Sequence, residues 1–158
     1  MEKIGSKHNG FTLLEVLISV VVLAVGLLGI AAMQVSMIRY NHSAQLRSIA
    51  TFQVDNMIDR MRANYAGLKL GYYNNISGIT SNPNCSSCTN SQIAQLDAYQ
   101  WNTNNASMLP AGQGTVSSNG STYTITLRWD NSRSGATGLS CSGNAKVDLT
   151  CLIVEVQL

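Results

Sequence analysis

The chain has 158 residues, of which 45% are apolar, 11% charged and 6% aromatic, and its formal net charge is +2. The composition is uneven, because 21 of the 28 residues from Phe11 to Ile38 are apolar and Glu15 is the single charge among them. One such block excludes a fully disordered chain and a membrane protein with several spans, and ten Lys and Arg against eight Asp and Glu disfavour a strongly basic nucleic-acid binder.

The apolar block has the length of a membrane-spanning helix. From Val16 to Met33 there are 18 consecutive residues in which Ser19 is the only strongly polar one, and a span needs roughly 17. A cleaved secretory signal is disfavoured, because its apolar region has only about 7 to 15 residues and ends at a small-residue cleavage site. Lys3 and Lys7 precede the block, so the positive-inside tendency places the start of the chain in the cytoplasm and the rest outside it.

Glu15 is unusual in this position. An ionised carboxylate in the hydrocarbon region costs about 2.5 kcal/mol or more unless a partner neutralises it. The simpler alternative is a carboxylate that lies at headgroup level and is solvated there. That alternative leaves unexplained why a Glu stands beside Phe11, Leu13 and Leu14, directly after Gly10.

The run from Gly10 to Ile18, Gly-Phe-Thr-Leu-Leu-Glu-Val-Leu-Ile, resembles the prepilin motif of type IV pilins and type II secretion pseudopilins. The resemblance implies that a membrane prepilin peptidase cleaves after Gly10 and that Phe11, the new N-terminus, is N-methylated. It also implies that Glu15 forms an assembly charge pair with the amino group of a neighbouring subunit's Phe11. Such a pair offsets desolvation only when both charges are present.

The chain departs from the major subunits of that family at Ala32, where they usually carry a Pro. Gly26 and Gly29 could instead weaken the helix, since Gly costs about 1 kcal/mol against Ala in a helix interior. Alternatively, the small residues could form a close helix-packing face.

The pattern becomes amphipathic after Arg39 and predicts one helix from about Phe11 to about Ala63, roughly 80 Å long. Gly67 is the predicted stop signal. The apolar stripe is expected to pack on a small domain. Its members are Leu46, Ile49, Ala50, Val54, Met57, Ile58 and Met61.

Residues 71–90 are rich in Asn, Ser and Gly and predict a connecting loop. Ser91 could cap a short helix that carries Ile93 and Leu96, has Asp97 on its polar side and ends before Pro110.

A β-hairpin follows, from Gly114 to Ser118 and from Thr122 to Trp129, with its turn at Asn119-Gly120. The last segment, Val147 to Leu158, changes its apolar phase after Ile153, which predicts a strand with a bulge. The predicted fold is therefore α+β and type IV pilin-like, with the long N-terminal helix packed on a small antiparallel sheet.

Further segments resemble the PilV group of minor pilins, which narrows the resemblance within the family. They are Gly26-Leu27-Leu28-Gly29, the run from Met57 to Asn64, then Asp97, Trp101, Leu109-Pro110, Gly112, Gly114 and Val116, and the run from Tyr123 to Asp130.

The four cysteines predict disulfides, because the bulk of the chain is expected on the oxidising side of a membrane. Zinc is disfavoured because Cys141 and Cys151 are too far apart to match the close pair Cys85 and Cys88. A redox C-x-x-C would need a thioredoxin-like unit, which the pattern lacks. Of three possible pairings we favour Cys85 with Cys88 and Cys141 with Cys151.

Catalysis, a metal and a cofactor are not expected. His8 lies in the predicted leader and His42 is expected on the surface. No nucleophile-base or paired-carboxylate arrangement can be built from the few acids of the polar part. Asp130, with Ser132 and Gly135 near it, is interpreted as a turn, because the terminal Glu of a calcium loop is missing.

These observations predict a leader over residues 1–10, a transmembrane and filament-core helix over 11–38 and a periplasmic head over 39–158. The resemblance implies a minor pilin of the inner membrane that moves to the tip of an extracellular type IV pilus. Its expected partners are prepilin peptidase, other minor pilins, the major pilin and a tip adhesin, without a small-molecule substrate.

A minor pseudopilin of type II secretion is the nearest alternative. A DNA-binding pilin is disfavoured, and a membrane-anchored periplasmic enzyme comes last.

Overall fold

A computed structural model describes residues 12–158. The chain has an α+β fold in which a long N-terminal helix packs on a small antiparallel sheet of four strands, which confirms the predicted class. By their contacts the residues form two compact units, one up to Asn41 and one over His42–Leu158. In chain order the elements are α1 Leu13–Ala63, α2 Tyr65–Lys69, β1 Asn75–Ser77, α3 Asn90–Met108, β2 Gln113–Asn119, β3 Thr122–Trp129 and β4 Thr150–Gln157.

Helix α1 is continuous through both glycines and ends at Ala63, as predicted. Its expected start near Phe11 lies outside the described residues. Gly67 is not the stop signal, because it lies inside the short helix α2. Asn64 ends α1 instead, since its side-chain oxygen accepts the N–H of Gly67 at 3.2 Å and caps the new helix.

The core of the second unit lies between the C-terminal half of α1, helix α3 and one face of the sheet. The predicted apolar stripe of α1 is confirmed, with Ile49 partly buried and the other members buried. Gln53, which the apolar pattern does not predict, is also buried, and its backbone carbonyl accepts the indole N–H of Trp101 at 2.8 Å.

The sheet has the strand order β1-β2-β3-β4, with every neighbour antiparallel. The predicted hairpin is confirmed as β2 and β3, but its turn lies one residue later than predicted. Asn119 pairs with Thr122, so the loop is Gly120-Ser121. Gly120 has φ of 65°, which suits glycine at the first position of a two-residue hairpin loop.

The predicted bulge in the last strand is wrong. β4 begins at Thr150 and pairs with β3 over eight consecutive residues without interruption. Leu152, Val154 and Val156 keep one period and pack against the core. The apparent change of phase arises because Ile153, on the opposite face, is an exposed apolar residue.

The region between α2 and β2 contains more regular structure than predicted. The supposed loop 71–90 includes β1, which pairs with β2. Helix α3 is capped by Thr89 rather than Ser91 and has 19 residues. Thr89 and Gln92 form a reciprocal capping box, in which each side chain accepts the other's backbone N–H.

Candidate functional site

The described part of the first unit is an exposed apolar helix. Every residue from Thr12 to Asn41 is exposed. Its most apolar 18-residue window has a mean hydropathy of 2.8, and none of that window is buried. In length and composition α1 could cross a membrane, and it is the one helix of the described residues that could. A helix that is apolar on all sides needs cover from lipid or from other chains.

Glu15 lies in the first turn of this helix. Its backbone N–H donates to the Thr12 hydroxyl oxygen at 3.3 Å, and its carbonyl oxygen accepts the Ser19 hydroxyl at 2.7 Å. Within residues 12–158 its carboxylate has no ion-pair partner. The partial positive charge of a helix N-terminus favours a carboxylate here, but it does not replace a cation.

Gly10 and Phe11, the predicted cleavage and methylation positions, lie outside the described residues, so these two assignments stay predictions. Gly26 and Gly29 lie in the described helix, and apart from the neighbouring backbone of the helix itself no atom of the described residues lies within 4 Å of the place where a Cβ would stand on either one. Packing inside the chain therefore does not require glycine at these positions.

In the second unit four side chains form a polar cluster, in which Asn64, Tyr73 and Asp97 are buried and Arg60 is partly buried. Arg60 Nη1 donates to Asp97 Oδ1 at 2.9 Å, and Tyr73 Oη donates to Asp97 Oδ2 at 2.6 Å. Asn64 Nδ2 donates to Tyr73 Oη at 3.1 Å. The cluster joins the end of α1, the segment before β1 and the middle of α3.

The polar cluster corrects the prediction that Asp97 lies on the polar side of its helix, because Asp97 is only 8% exposed. Burial raises the pKa of Tyr73 far above its ordinary value, and the hydrogen bond to Asp97 adds to this shift. Tyr73 is therefore a neutral donor, and both Asp97 oxygens are occupied, so the cluster positions helices rather than offering a free base. Arg60 and Asp97 are 37 residues apart in the sequence, so no local pattern indicates that they form a pair.

The structure joins Cys85 to Cys88 and Cys141 to Cys151, the pairing that the sequence analysis favours. Their Cα–Cα distances are 5.3 and 5.6 Å. The first disulfide lies directly before the cap of α3, and the second ties the preceding loop to β4. Within residues 12–158 no group of three His, Cys, Asp or Glu side chains is arranged to hold a metal ion.

The turn predicted at Asp130 is confirmed. Asp130 accepts the N–H of Ser134 at 3.1 Å and that of Gly135 at 2.8 Å. Burial acts to raise the pKa of Asp130, but these hydrogen bonds together outweigh it and hold the pKa below its ordinary value. Asp148 orders the neighbouring loop in the same way, since it accepts the N–H groups of Ser140 and Ser142.

Comparison with known proteins adds one match. Residues 5–31 match the family described as the prokaryotic N-terminal methylation motif. No curated protein and no solved structure matches the chain. The matched motif covers the predicted cleavage junction, Glu15 and both helix glycines, and it supports a type IV pilin or pseudopilin, a class of structural subunit.

Proposed function

We propose that the chain is a minor pilin of a type IV pilus and belongs to the PilV group. In this proposal residues 11–38 hold the subunit in the inner membrane with the head, residues 39–158, in the periplasm. After cleavage of leader 1–10 the subunit joins the tip complex, where it primes assembly and helps to display a tip adhesin, and so supports adhesion and twitching motility. The methylation motif over residues 5–31 supports the broader class.

Glu15 is the observation that carries the broader part of the proposal, that the chain is a subunit of a pilin-type filament. Its carboxylate stands without an ion-pair partner among the described residues, at the start of the apolar part of α1, in which every residue up to Asn41 is exposed. Cleavage after Gly10 would create an amino group at Phe11 on each subunit. That amino group is the cation that a neighbour's Glu15 lacks, and pairing in low dielectric would set the axial position of the incoming subunit.

The processing step is tested by mass spectrometry of the full chain recovered from sheared pili of a piliated host that contains prepilin peptidase. The expected N-terminus is N-methylated Phe11, and Gly10→Val is expected to remain uncleaved and absent from the pili. Recovery of an uncleaved chain in the filaments, or cleavage at another position, would overturn the proposal.

A pseudopilin of type II secretion would have the same helix and the same motif. The two functions are therefore distinguished by the proteins that bind the chain. We expect the full chain to copurify from detergent extracts with pilus minor pilins and the major pilin. Copurification with secretion pseudopilins alone would assign it to the other machine.

A DNA-binding role has weaker support from the head. Among its basic residues Arg128 is already engaged, because its guanidinium donates to the Leu139 carbonyl and to the Thr115 hydroxyl. We expect no salt-dependent retention of the chain on DNA, which a phosphate-binding surface would produce.

A further inference from the structure

The free edge of β4 carries backbone groups that no other described residue uses. β4 is the last strand of the sheet and pairs only with β3. The Leu158 N–H donates to the Ser121 carbonyl at 3.5 Å. Because the direction of the backbone groups alternates along a strand, the N–H and C=O groups of the even-numbered residues of β4 point toward β3. In an antiparallel pair the alternate residues then direct their N–H and C=O groups outward. These residues are Cys151, Ile153, Glu155 and Gln157, and within residues 12–158 no backbone hydrogen bond reaches those groups.

Apart from one exposed charge, Glu155, this edge lacks the sequence and strand features that usually block strand addition. Proteins protect sheet edges with short strands, bulges, Pro or Lys. The opposite edge, β1, has only three residues. β4 has eight residues, contains no Pro, Gly or Lys, and pairs without a bulge. It is therefore an open template for one more strand.

The side chains at the edge indicate what such a strand would carry. On the core side Leu152, Val154 and Val156 are only partly buried, so an added strand with apolar residues at alternate positions would complete their cover. On the other side Ile153 is 54% exposed and Glu155 is exposed. Glu155 makes no ion pair within the described part of the chain.

We propose that the β4 edge binds an extended strand of a different protein, with apolar side chains at alternate positions and a Lys or Arg facing Glu155. Directly opposed charges of opposite sign stabilise strand pairs, and like charges destabilise them. A second copy of β4 contains no basic residue, so it supplies no cation to Glu155 in any register. The proposal rests on the sheet alone and does not depend on the filament assignment.

The test uses the full chain in detergent micelles and a fluorescently labelled peptide, Thr-Val-Thr-Val-Lys-Val-Thr, with binding followed by anisotropy. We expect the Lys peptide to bind at least tenfold more tightly than the same peptide with Glu in place of Lys. Glu155→Lys is expected to reverse that preference. A reversal of the charge preference would also follow from simple attraction to the surface. A second pair of variants is therefore needed to show that the peptide adds as a strand.

Ile153→Pro removes one outward N–H without touching the ladder to β3, and Pro is tolerated at such edge positions. Ile153→Thr removes the apolar side chain and keeps the N–H, so it is the matched control. We expect the Pro variant to lose at least tenfold in affinity and the Thr variant to stay within threefold. Circular dichroism checks that both fold. If the Pro variant does not fold, the unchanged chain is tested with a Lys peptide whose backbone amides are N-methylated, which removes the peptide's N–H donors and keeps its charge, and a tenfold loss of affinity is again expected.

Three results of the binding experiments would overturn the proposal. They are no saturable binding of the Lys peptide to the unchanged chain, equal binding by the Pro and Thr variants when both are folded, and failure of Glu155→Lys to reverse the preference. Self-association in sedimentation experiments that is lost in the Ile153→Pro variant would assign the edge to a second copy and would also overturn it.

Discussion

The contact of Arg60 with Asp97 ties α1 to α3 through two single side chains, which are 25% and 11% exposed. Asp97→Asn keeps the shape of the side chain but removes its charge, and it leaves the partly buried Arg60 without a counterion. Breaking a buried pair costs about 3 to 5 kcal/mol, and the partial exposure of Arg60 reduces this. We expect a loss of about 2 kcal/mol in the free energy of unfolding, measured by urea denaturation of the full chain in micelles.

The control for this prediction is an ion pair on α1 whose two residues lie on either side of Arg60 in the sequence. Asp59 and Arg62 are 3.6 Å apart, with their side chains 76% and 59% exposed. Exposed pairs contribute roughly 0 to 1 kcal/mol, so Asp59→Asn should change the stability by less than about 1 kcal/mol. Equal effects of the two substitutions would mean that the polar cluster does not hold the helices together.

Asp130 gives a prediction of pH dependence. Its pKa in the folded chain lies below the ordinary value of 3.8, so the unfolded chain binds the proton more readily. The contribution of its carboxylate to stability is therefore complete above about pH 4 to 5 and is lost as the pH falls through the lower folded value.

Asp130→Asn should consequently destabilise the chain at pH 7, and the difference in melting temperature from the unchanged chain should shrink as the pH falls below about 4. Thermal unfolding at a series of pH values measures this. A difference that stays constant down to the lowest pH at which both chains fold would show that the carboxylate charge does not hold the turn.

The hydrogen-bond partners of Asp130 and Asp97 were not equally predictable from the sequence. Asp130 stands beside Asn, Ser and Gly in a local turn, so its partners are within five residues and the sequence indicates them. The partners of Asp97 are Arg60 and Tyr73, which only the folded chain brings together. Sequence reasoning therefore placed Asp97 on the surface by default.

The close packing of helix α3 against strand β2 depends on a glycine, and substituting that glycine tests it. A Cβ on Gly114 would meet two ring atoms of Trp101, and Trp101 is fully buried. Gly114→Ala should therefore force the strand and helix apart and cost about 1 to 3 kcal/mol, measured by urea denaturation. Gly26→Ala is the matched control, since a Cβ there has open space around it. An unchanged midpoint in the Gly114 variant would contradict this packing.

The elements that the sequence predicted well are those with long or local patterns. The α1 stripe repeats over four turns, and the β2–β3 hairpin is defined by alternation and an adjacent turn. β1 was missed because it has three residues, of which only Ile76 is buried. The β4 bulge was predicted wrongly because apolar residues were assumed to point inward, and Ile153 does not.

At the scale of the whole molecule, the uneven composition corresponds to two units with different requirements. The second unit, His42–Leu158, has an apolar core of its own and carries two disulfides. The described apolar segment buries none of its most apolar window within the chain. This segment therefore needs cover from lipid or from other chains. If the proposed function is correct, substitutions in it should affect assembly while leaving the unfolding of the second unit unchanged.

In the proposed function Glu15 serves assembly rather than folding, so its substitution should lower the amount of chain in sheared pili. Glu15→Val and Glu15→Gln both remove the charge, and Ser19→Val, one turn later, is the control for a polar-to-apolar change. We expect all three chains to be cleaved and inserted normally with an unchanged melting temperature of the head. We expect both Glu15 variants to fall at least about tenfold in the pili, which corresponds to about 1.4 kcal/mol, and Ser19→Val to match the unchanged chain. Incorporation of Glu15→Gln at the level of the unchanged chain would show that the charge of Glu15 is not needed for assembly.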